Sequence, residues 1–336
     1  MTRILNLVFV SLVVCVPSYF CQWVKQTVDT TASFRGLSVV DKNTVWASGT
    51  RGTVIRTTDG GGTWSVIKVP DAEKLDFRDI EAFDANTAYI LSIGNGDSSR
   101  IYKTTDGGKS WTLQFKNTNE KAFFDAMACW DRNNCVAMSD PIDGKYVLIG
   151  TKDGTTWKAM DTDKMASAKT GEAAFAASGT CLITQGRNRL LLVSGGTDAR
   201  VFRSENRGVS WLVADTPIVK GAAGSGIFSI AMLNGKRGII VGGNYEKPEE
   251  NDRSLAHTLD GGRTWVAGSG LSGFRSAVVY IDGQTVIAVG SSGSDISNDG
   301  GKSWRNIDKL SYNAVQAKGS DAVWAVGEKG MVARMK

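Results

Sequence analysis

Apolar and polar positions alternate in short bursts along this chain, and turn residues interrupt them at recurring intervals. The first full set runs Phe34-Arg35-Gly36-Leu37-Ser38-Val39-Val40, breaks at Asp41-Lys42-Asn43 and resumes as Thr44-Val45-Trp46-Ala47. It breaks again at Gly49-Thr50-Arg51-Gly52 and continues as Thr53-Val54-Ile55-Arg56. Short runs rich in β-branched and aromatic residues, bounded by Gly, Asn and Asp, read as strands. A fourth run, Ser65-Val66-Ile67-Lys68, closes the set. Four antiparallel strands, A to D, are the content of one propeller blade.

Between strands C and D lies a phrase that recurs six times, each copy ending in tryptophan: Trp64, Trp111, Trp157, Trp211, Trp265 and Trp304. The first copy reads Thr57-Thr58-Asp59-Gly60-Gly61-Gly62-Thr63-Trp64. Repetition at this spacing, roughly 40–50 residues, marks a propeller or solenoid built from one supersecondary unit. The phrase matches the Asp-box, Ser/Thr-x-Asp-x-Gly-x-Thr/Ser-Trp. Asp59, Asp106, Asp153, Asp260 and Asp299 supply its acid, Asn206 replaces it in the fourth copy, and the third copy is one residue short. An Asp in such a turn accepts backbone N–H groups, the glycines take conformations other residues resist, and the tryptophan buries a large ring. Since the same residue recurs on blade after blade, its role is expected to be structural rather than catalytic or metal-binding.

Strand A starts near residues 34, 77, 123, 172, 227, 274 and 312, which makes seven blades rather than six. The seventh repeats Val45-Trp46-Ala47 as Val323-Trp324-Ala325 but ends at Lys336 before any tryptophan phrase. Gln22-Trp23-Val24-Lys25-Gln26 resembles the segment after each phrase. Residues 22–28 are therefore expected to complete blade seven and close the ring, removing the exposed edges that invite aggregation. The expected fold is all-β, a single seven-bladed propeller over residues 22–336.

Composition agrees: of 336 residues, 42% are hydrophobic, 39 are Gly and only 5 are Pro. The net charge of +5 is spread without any Lys/Arg run, so no nucleic-acid partner is expected. Residues 1–21 stand apart. Arg3 precedes an apolar stretch from Ile4 to Val16, too short to span a bilayer of about 30 Å. This reads as a signal peptide cleaved after Ser18 or Cys21, and it implies a secreted or periplasmic protein with no membrane span. No small residue precedes Cys15 or Cys21, so lipid anchoring is not expected. Export permits disulfides. Cys129 and Cys135 flank a hairpin-like Trp-Asp-Arg-Asn-Asn, so they form either a bridge or two half-buried thiols, while Cys181 reads as a buried thiol.

In a propeller, strand A lines the central channel, and the D–A and B–C connections share one face. Alignment of the strand A starts places Arg35, Arg78, Phe124, Glu172, Phe228, Arg275 and Tyr312 at one equivalent position. One arc of the mouth is then basic and the other mainly aromatic. The B–C loops add Arg51, Asp140, Arg187, Tyr245, Asp295 and Lys329, with a long charged insertion at 243–253 and an enlarged blade-four loop at 187–203. This predicts a funnel for an anionic group, such as the carboxylate of a peptide or an acidic sugar, gripped by arginine forks. The competing expectation is that the arginines pair with neighbouring acids such as Asp79 and staple strand A.

Phe77-Arg78-Asp79-Ile80, the Trp-Ala strand B and the Asp-box closing each blade resemble one family, the Ycf48/Hcf136-like photosystem II assembly factors and their exported bacterial relatives. The resemblance extends over essentially the whole mature chain at the level of the repeat. It implies a seven-bladed propeller that binds partner proteins rather than a catalyst.

A non-catalytic scaffold is therefore expected, acting as a monomer on a protein or an acidic small-molecule or glycan partner, with no cofactor, metal or catalytic residue. The enzymatic alternative is a sialidase-like glycoside hydrolase, which also carries Asp-boxes. That class needs an arginine triad and a tyrosine nucleophile with a carboxylate partner. Here Phe34-Arg35-Gly36-Leu37 lacks the Ile-Pro of its Phe-Arg-Ile-Pro, and Tyr312 and Glu172 fall on distant blades. An oxidoreductase-like reading finds no GxGxxG unit and no CxxCH, and the single histidine, His257, sits beside an Asp-box.

Overall fold

The computed structural model describes residues 22–336 and is a seven-bladed β-propeller of antiparallel blades with almost no helix. The leader expected over residues 1–21 lies outside the described residues. Blade one comprises Phe34–Val39, Val45–Gly49, Thr53–Thr57 and Ser65–Lys68, in that order from the channel outwards. Blades two, three and six repeat the pattern, starting at Phe77–Ala82, Phe124–Asp131 and Ala277–Tyr280. Among the described residues no helix is long and apolar enough to cross a membrane.

Blade seven holds Ala314–Ala317, Val323–Val326 and Val332–Met335, and its outermost strand is Trp23–Lys25 from the other end of the chain. Trp23, Val24 and Lys25 pair with Met335, Arg334 and Ala333. The ring is closed by the N-terminal strand, as the sequence predicts.

Blade four departs from expectation. Its strand A is Leu182–Gln185, paired with Arg189–Val193, and does not start at Glu172. Glu172–Ala173 instead pairs with Gly195–Gly196, and this small ribbon joins the sheet of blade five. The strand-like apolar run after Glu172 is a connection, residues 174–177, that reaches the channel mouth.

The Asp-box turns follow one local scheme. Thr57 Oγ1 donates to Asp59 Oδ1 at 2.7 Å, Thr63 N donates to the same oxygen at 2.9 Å, and Thr63 Oγ1 donates to Oδ2 at 2.7 Å. The set recurs at Asp106, Asp260 and Asp299. Asn206 keeps it in blade four by accepting the Ser210 N–H and donating to Ser210 Oγ. In the shortened third copy Asp153 accepts from Thr155 N and Thr156 N. These bonds hold the exposed carboxylates ionised: the Thr63 N–H takes Asp59 down to about 2, and the Ser110 hydroxyl does the same for Asp106. The tryptophans lock neighbouring blades together. Trp64 of blade one meets Trp324 of blade seven edge-on at 5.6 Å, and Trp157 of blade three meets Tyr89 of blade two at 6.1 Å.

Cys129 and Cys135 lie opposite each other on strands A and B of blade three and form a disulfide. Cys181 is a buried free thiol.

Candidate functional site at the channel mouth

Strand A enters each blade through a bulge, and that irregularity decides what faces the channel. Register shifts fall between Phe34 and Gly36, Phe77 and Asp79, Phe124 and Ala126, and Ile227 and Ser229. The residues left at the bulges are Arg35, Arg78, Asp125 and Phe228, and all four line one cavity of about 690 Å³. In blades six and seven the N–H groups of Arg275 and Tyr312 bond to Gly242 O and Gly290 O, as Phe34 N bonds to Gly327 O. The residues that follow, Ser276 and Asn313, therefore take the channel position, and both line the cavity.

This corrects three of the expected mouth residues by one position. Arg275 is fully buried inside blade six. Its Nε donates to Asp295 Oδ2 at 2.9 Å, and Phe274 O, Ser292 Oγ and Ser272 Oγ take its remaining donors. Tyr312 is buried against Trp23 and bonds to Asp308. Phe124 packs edge-on against Phe115 within blade three. Glu172 is also buried and paired with Arg200, whereas Tyr312 bonds to Asp308 of blade six, so these two residues do not form a pair.

Several of the expected loop residues also lie elsewhere. Arg187 sits in the turn between Leu182–Gln185 and Arg189–Val193, an A–B connection on the face opposite the mouth. Asp295 lies in strand Gly293–Ser297 rather than a loop. Arg51 and Lys329 occupy B–C turns, exposed and outside the cavity lining, and Arg51 donates to Thr31 Oγ1 at 2.7 Å. Asp140 and Tyr245 do line the cavity.

The residues missed at the sequence level are Asp125, Ser276, Asn313 and Phe175. A signal for Asp125 and Ser276 was present in the A–B turns. Asp41, Asp84, Asp131, Asn234 and Asp282 each cap their turn by accepting N–H groups two and three residues on. Counting back six residues from these caps gives Arg35, Arg78, Asp125, Phe228 and Ser276. Phe175 comes from the blade-four connection and had no repeat to reveal it.

The mouth is electrostatically divided. Arg35 and Arg78 reach across from blades one and two toward the blade-four connection, where Nη1 of each meets a carbonyl, Ala177 O at 3.4 Å and Ala176 O at 3.3 Å. Arg78 pairs with Asp76 at 2.8 Å, not with Asp79. Among the described residues Arg35 forms no ion pair within 4.0 Å; burial and then the charge of Arg78 pull its pKa down. Asp79 lies deeper, accepting N–H bonds from Ile80 and Met127, with burial raising its carboxyl to about 7. On blade three, burial pushes Asp140 up to about 6, while burial and the neighbouring Asp140 charge push Asp125 well above the ordinary range. The remaining arc is aromatic: Phe175 stacks on Phe228 at 3.9 Å, and Phe274 meets Phe228 edge-on at 4.6 Å.

Comparison with protein-family models matches residues 17–169 to the photosynthesis system II assembly factor YCF48. Over those residues the chain is similar to the YCF48 family. Among solved structures, YCF48 bound to D1 peptide superposes with a TM-score of 0.67 at 18% identity, covering 95% of this chain and 96% of that one. YCF48 from Cyanidioschyzon merolae gives 0.65 at 17% identity, covering 93% of this chain and 98% of that one. The structure of U3-55K gives nearly the same value, 0.64 at 12% identity, with 95% and 98% covered. These likenesses therefore show the seven-bladed ring alone, and the similarity to YCF48 in sequence is confined to the residues that the family model matches. Comparison with curated protein sequences gives no match.

Proposed function

We propose that this chain is an exported, non-catalytic scaffold that binds a partner polypeptide at the channel mouth, with Arg35 and Arg78 holding an anionic group of that partner. The observation that carries this reading is Arg35, a half-buried guanidinium that lines the cavity without a carboxylate of the described residues within ion-pair distance. A cation kept partly out of water without a counter-charge is costly, and a ligand carboxylate would relieve that cost through short, bidentate hydrogen bonds. Asp76 orients Arg78 through Nε and leaves its terminal nitrogens directed along the same wall. A polypeptide occupant is supported by the family match and by the structural relative that is bound to a peptide. Export is supported by the leader-like residues 1–21 and by the Cys129–Cys135 disulfide, which belongs to an oxidising compartment.

An acidic sugar presents the same carboxylate, so the test has two arms. Binding of a fluorescein-labelled acidic octapeptide and of glucuronate is titrated against the wild-type chain and the Arg35→Gln/Arg78→Gln variant. The expected result is peptide binding that weakens at least about tenfold in the variant, as for loss of a charge-assisted pair. Equal peptide affinity in the two proteins would overturn the reading, and binding of glucuronate alone would replace the peptide by a sugar.

A further inference from the structure

The anion reading leaves one wall of the mouth unused. Asp125 occupies the channel position of blade three, where its side chain is 1% exposed and lines the cavity, and its Oδ2 has no hydrogen-bond partner. Asp140, at the outer end of the adjacent strand, lines the same cavity and accepts the Ala174 N–H at 2.7 Å through Oδ1. That bond ties Asp140 to the connection carrying Phe175. The Phe175 ring lies parallel to Phe228, 4° between planes, and Tyr245 meets both rings edge-on at 6.4 and 6.2 Å. Two carboxyl groups and a set of aromatic rings thus share one side of the cavity.

The chemistry of this wall selects its occupant. A buried carboxyl oxygen without a partner needs a hydrogen-bond donor. Aromatic faces attract cations as well as apolar groups. An aliphatic side chain would satisfy the rings but leave Asp125 orphaned, and an anion would be repelled by both carboxyls. A cationic donor satisfies every group on the wall. We propose that Asp125, Asp140 and the Phe175–Phe228 stack form a subsite for an ammonium or guanidinium group, the lysine or arginine side chain of the same polypeptide whose anionic group sits on Arg35 and Arg78. This rests on the anion reading above and adds to it a polarity: the partner segment presents its acid to blades one and two and its base to blade three. Arg78 is close enough to Asp125 for its charge to act on that carboxyl, so the two subsites are adjacent and the acidic and basic residues lie near each other along the partner.

The test uses two acetylated, amidated, fluorescein-labelled octapeptides that carry the same glutamate and differ at one residue, lysine in one and norleucine in the other. The wild-type chain is expected to bind the lysine peptide at least tenfold more tightly, and Asp125→Asn/Asp140→Asn to abolish that preference. Arg35→Gln/Arg78→Gln is expected to weaken both peptides alike. Equal binding of the two peptides by the wild-type chain, a comparison that needs no variant to fold, would overturn the cation subsite while leaving the anion site standing. So would a lysine preference that survives in the double carboxamide variant, provided its thermal melt shows it folded. If neither peptide binds the wild-type chain, both readings fall together.

Discussion

Trp23 faces Met335 across the seam where the two ends of the described chain meet. The indole does more than fill the outer position of blade seven. Its Nε1 donates to Ser294 Oγ at 3.0 Å in blade six, and its ring packs on Tyr312 at 5.4 Å. Arg334, on the strand that pairs with it, donates to Gly60 O in blade one at 3.0 Å. The closing blade is thus bonded to both of its neighbours around the ring. Trp23→Ala is expected to cost about 3–5 kcal/mol, the usual range for truncating a buried aromatic. Deletion of residues 22–30 should destabilise the domain further. Urea denaturation followed by tryptophan fluorescence measures both, and an unchanged midpoint in the deletion would contradict closure by this strand.

The arginines of the Phe-Arg pairs divide into two mechanical classes, and substitution should separate them. Arg275 and Asp295 are both fully buried and paired at 2.7 Å, so Arg275→Gln strands a buried carboxylate. The expected cost is about 3–5 kcal/mol of stability. Arg35 has no such partner among the described residues, so Arg35→Gln should cost no more than about 0.5 kcal/mol of stability while weakening binding of the acidic octapeptide. Parallel denaturation and binding titrations distinguish the two, and a large stability loss at Arg35 would return it to the role of a staple.

The repeat was legible because its chemistry is local. Asp59 and its counterparts cap their own turns, and Trp64 sits at a fixed distance from them, so each copy carries its fold signal within one phrase. Ring closure was legible for the same reason, since Trp23 repeats the start of strand D. The mouth was harder to read because the bulge breaks the two-residue alternation that tells which side chain faces which way. Phe274-Arg275 looks like Phe34-Arg35, yet the first arginine points into a blade and the second into the channel. The turn caps six residues downstream, unaffected by the bulge, keep the true register. Blade four could not be aligned by either means. Its connection at 174–177 replaces the bulged residue, and the Phe175 stack depends on a contact between segments far apart in the sequence.

The Asp-box carboxylates should leave a signature in the pH dependence of stability. Asp106 is held near 2 in the folded chain by the Ser110 hydroxyl and its backbone N–H, below its ordinary value of 3.8. The folded state therefore binds fewer protons than the unfolded state in this window. Its contribution is fully present above about pH 4 and is lost as the pH falls through about 2. Asp106→Ala is expected to lower Tm at pH 7, and the gap to wild type should narrow steadily as the pH falls from 4 to 2. Differential scanning fluorimetry across that range is the measurement, and a gap independent of pH would assign the loss to the missing turn geometry rather than to the ionised carboxylate.

The cation subsite carries a pH dependence of the same sign at higher pH. Burial raises Asp140 to about 6 in the free protein, and burial together with the Asp140 charge raises Asp125. A bound ammonium favours their ionised forms, so the complex binds fewer protons than the free protein. Affinity for the lysine octapeptide is then expected to rise with pH, by about tenfold between roughly pH 5 and 7 for each unit by which binding lowers a carboxyl pKa. Arg35, Arg78 and Lys121 also line the mouth. Glu328 also lines the mouth and acts on the lysine peptide alone, so the Asp125→Asn/Asp140→Asn variant, which keeps Glu328, is the control for its contribution to the ratio of the two dissociation constants. That ratio, measured by fluorescence anisotropy at several pH values, should climb with pH in the wild type and stay flat in Asp125→Asn/Asp140→Asn. A flat ratio in the wild type would show that neither carboxyl carries the counter-charge for the ligand.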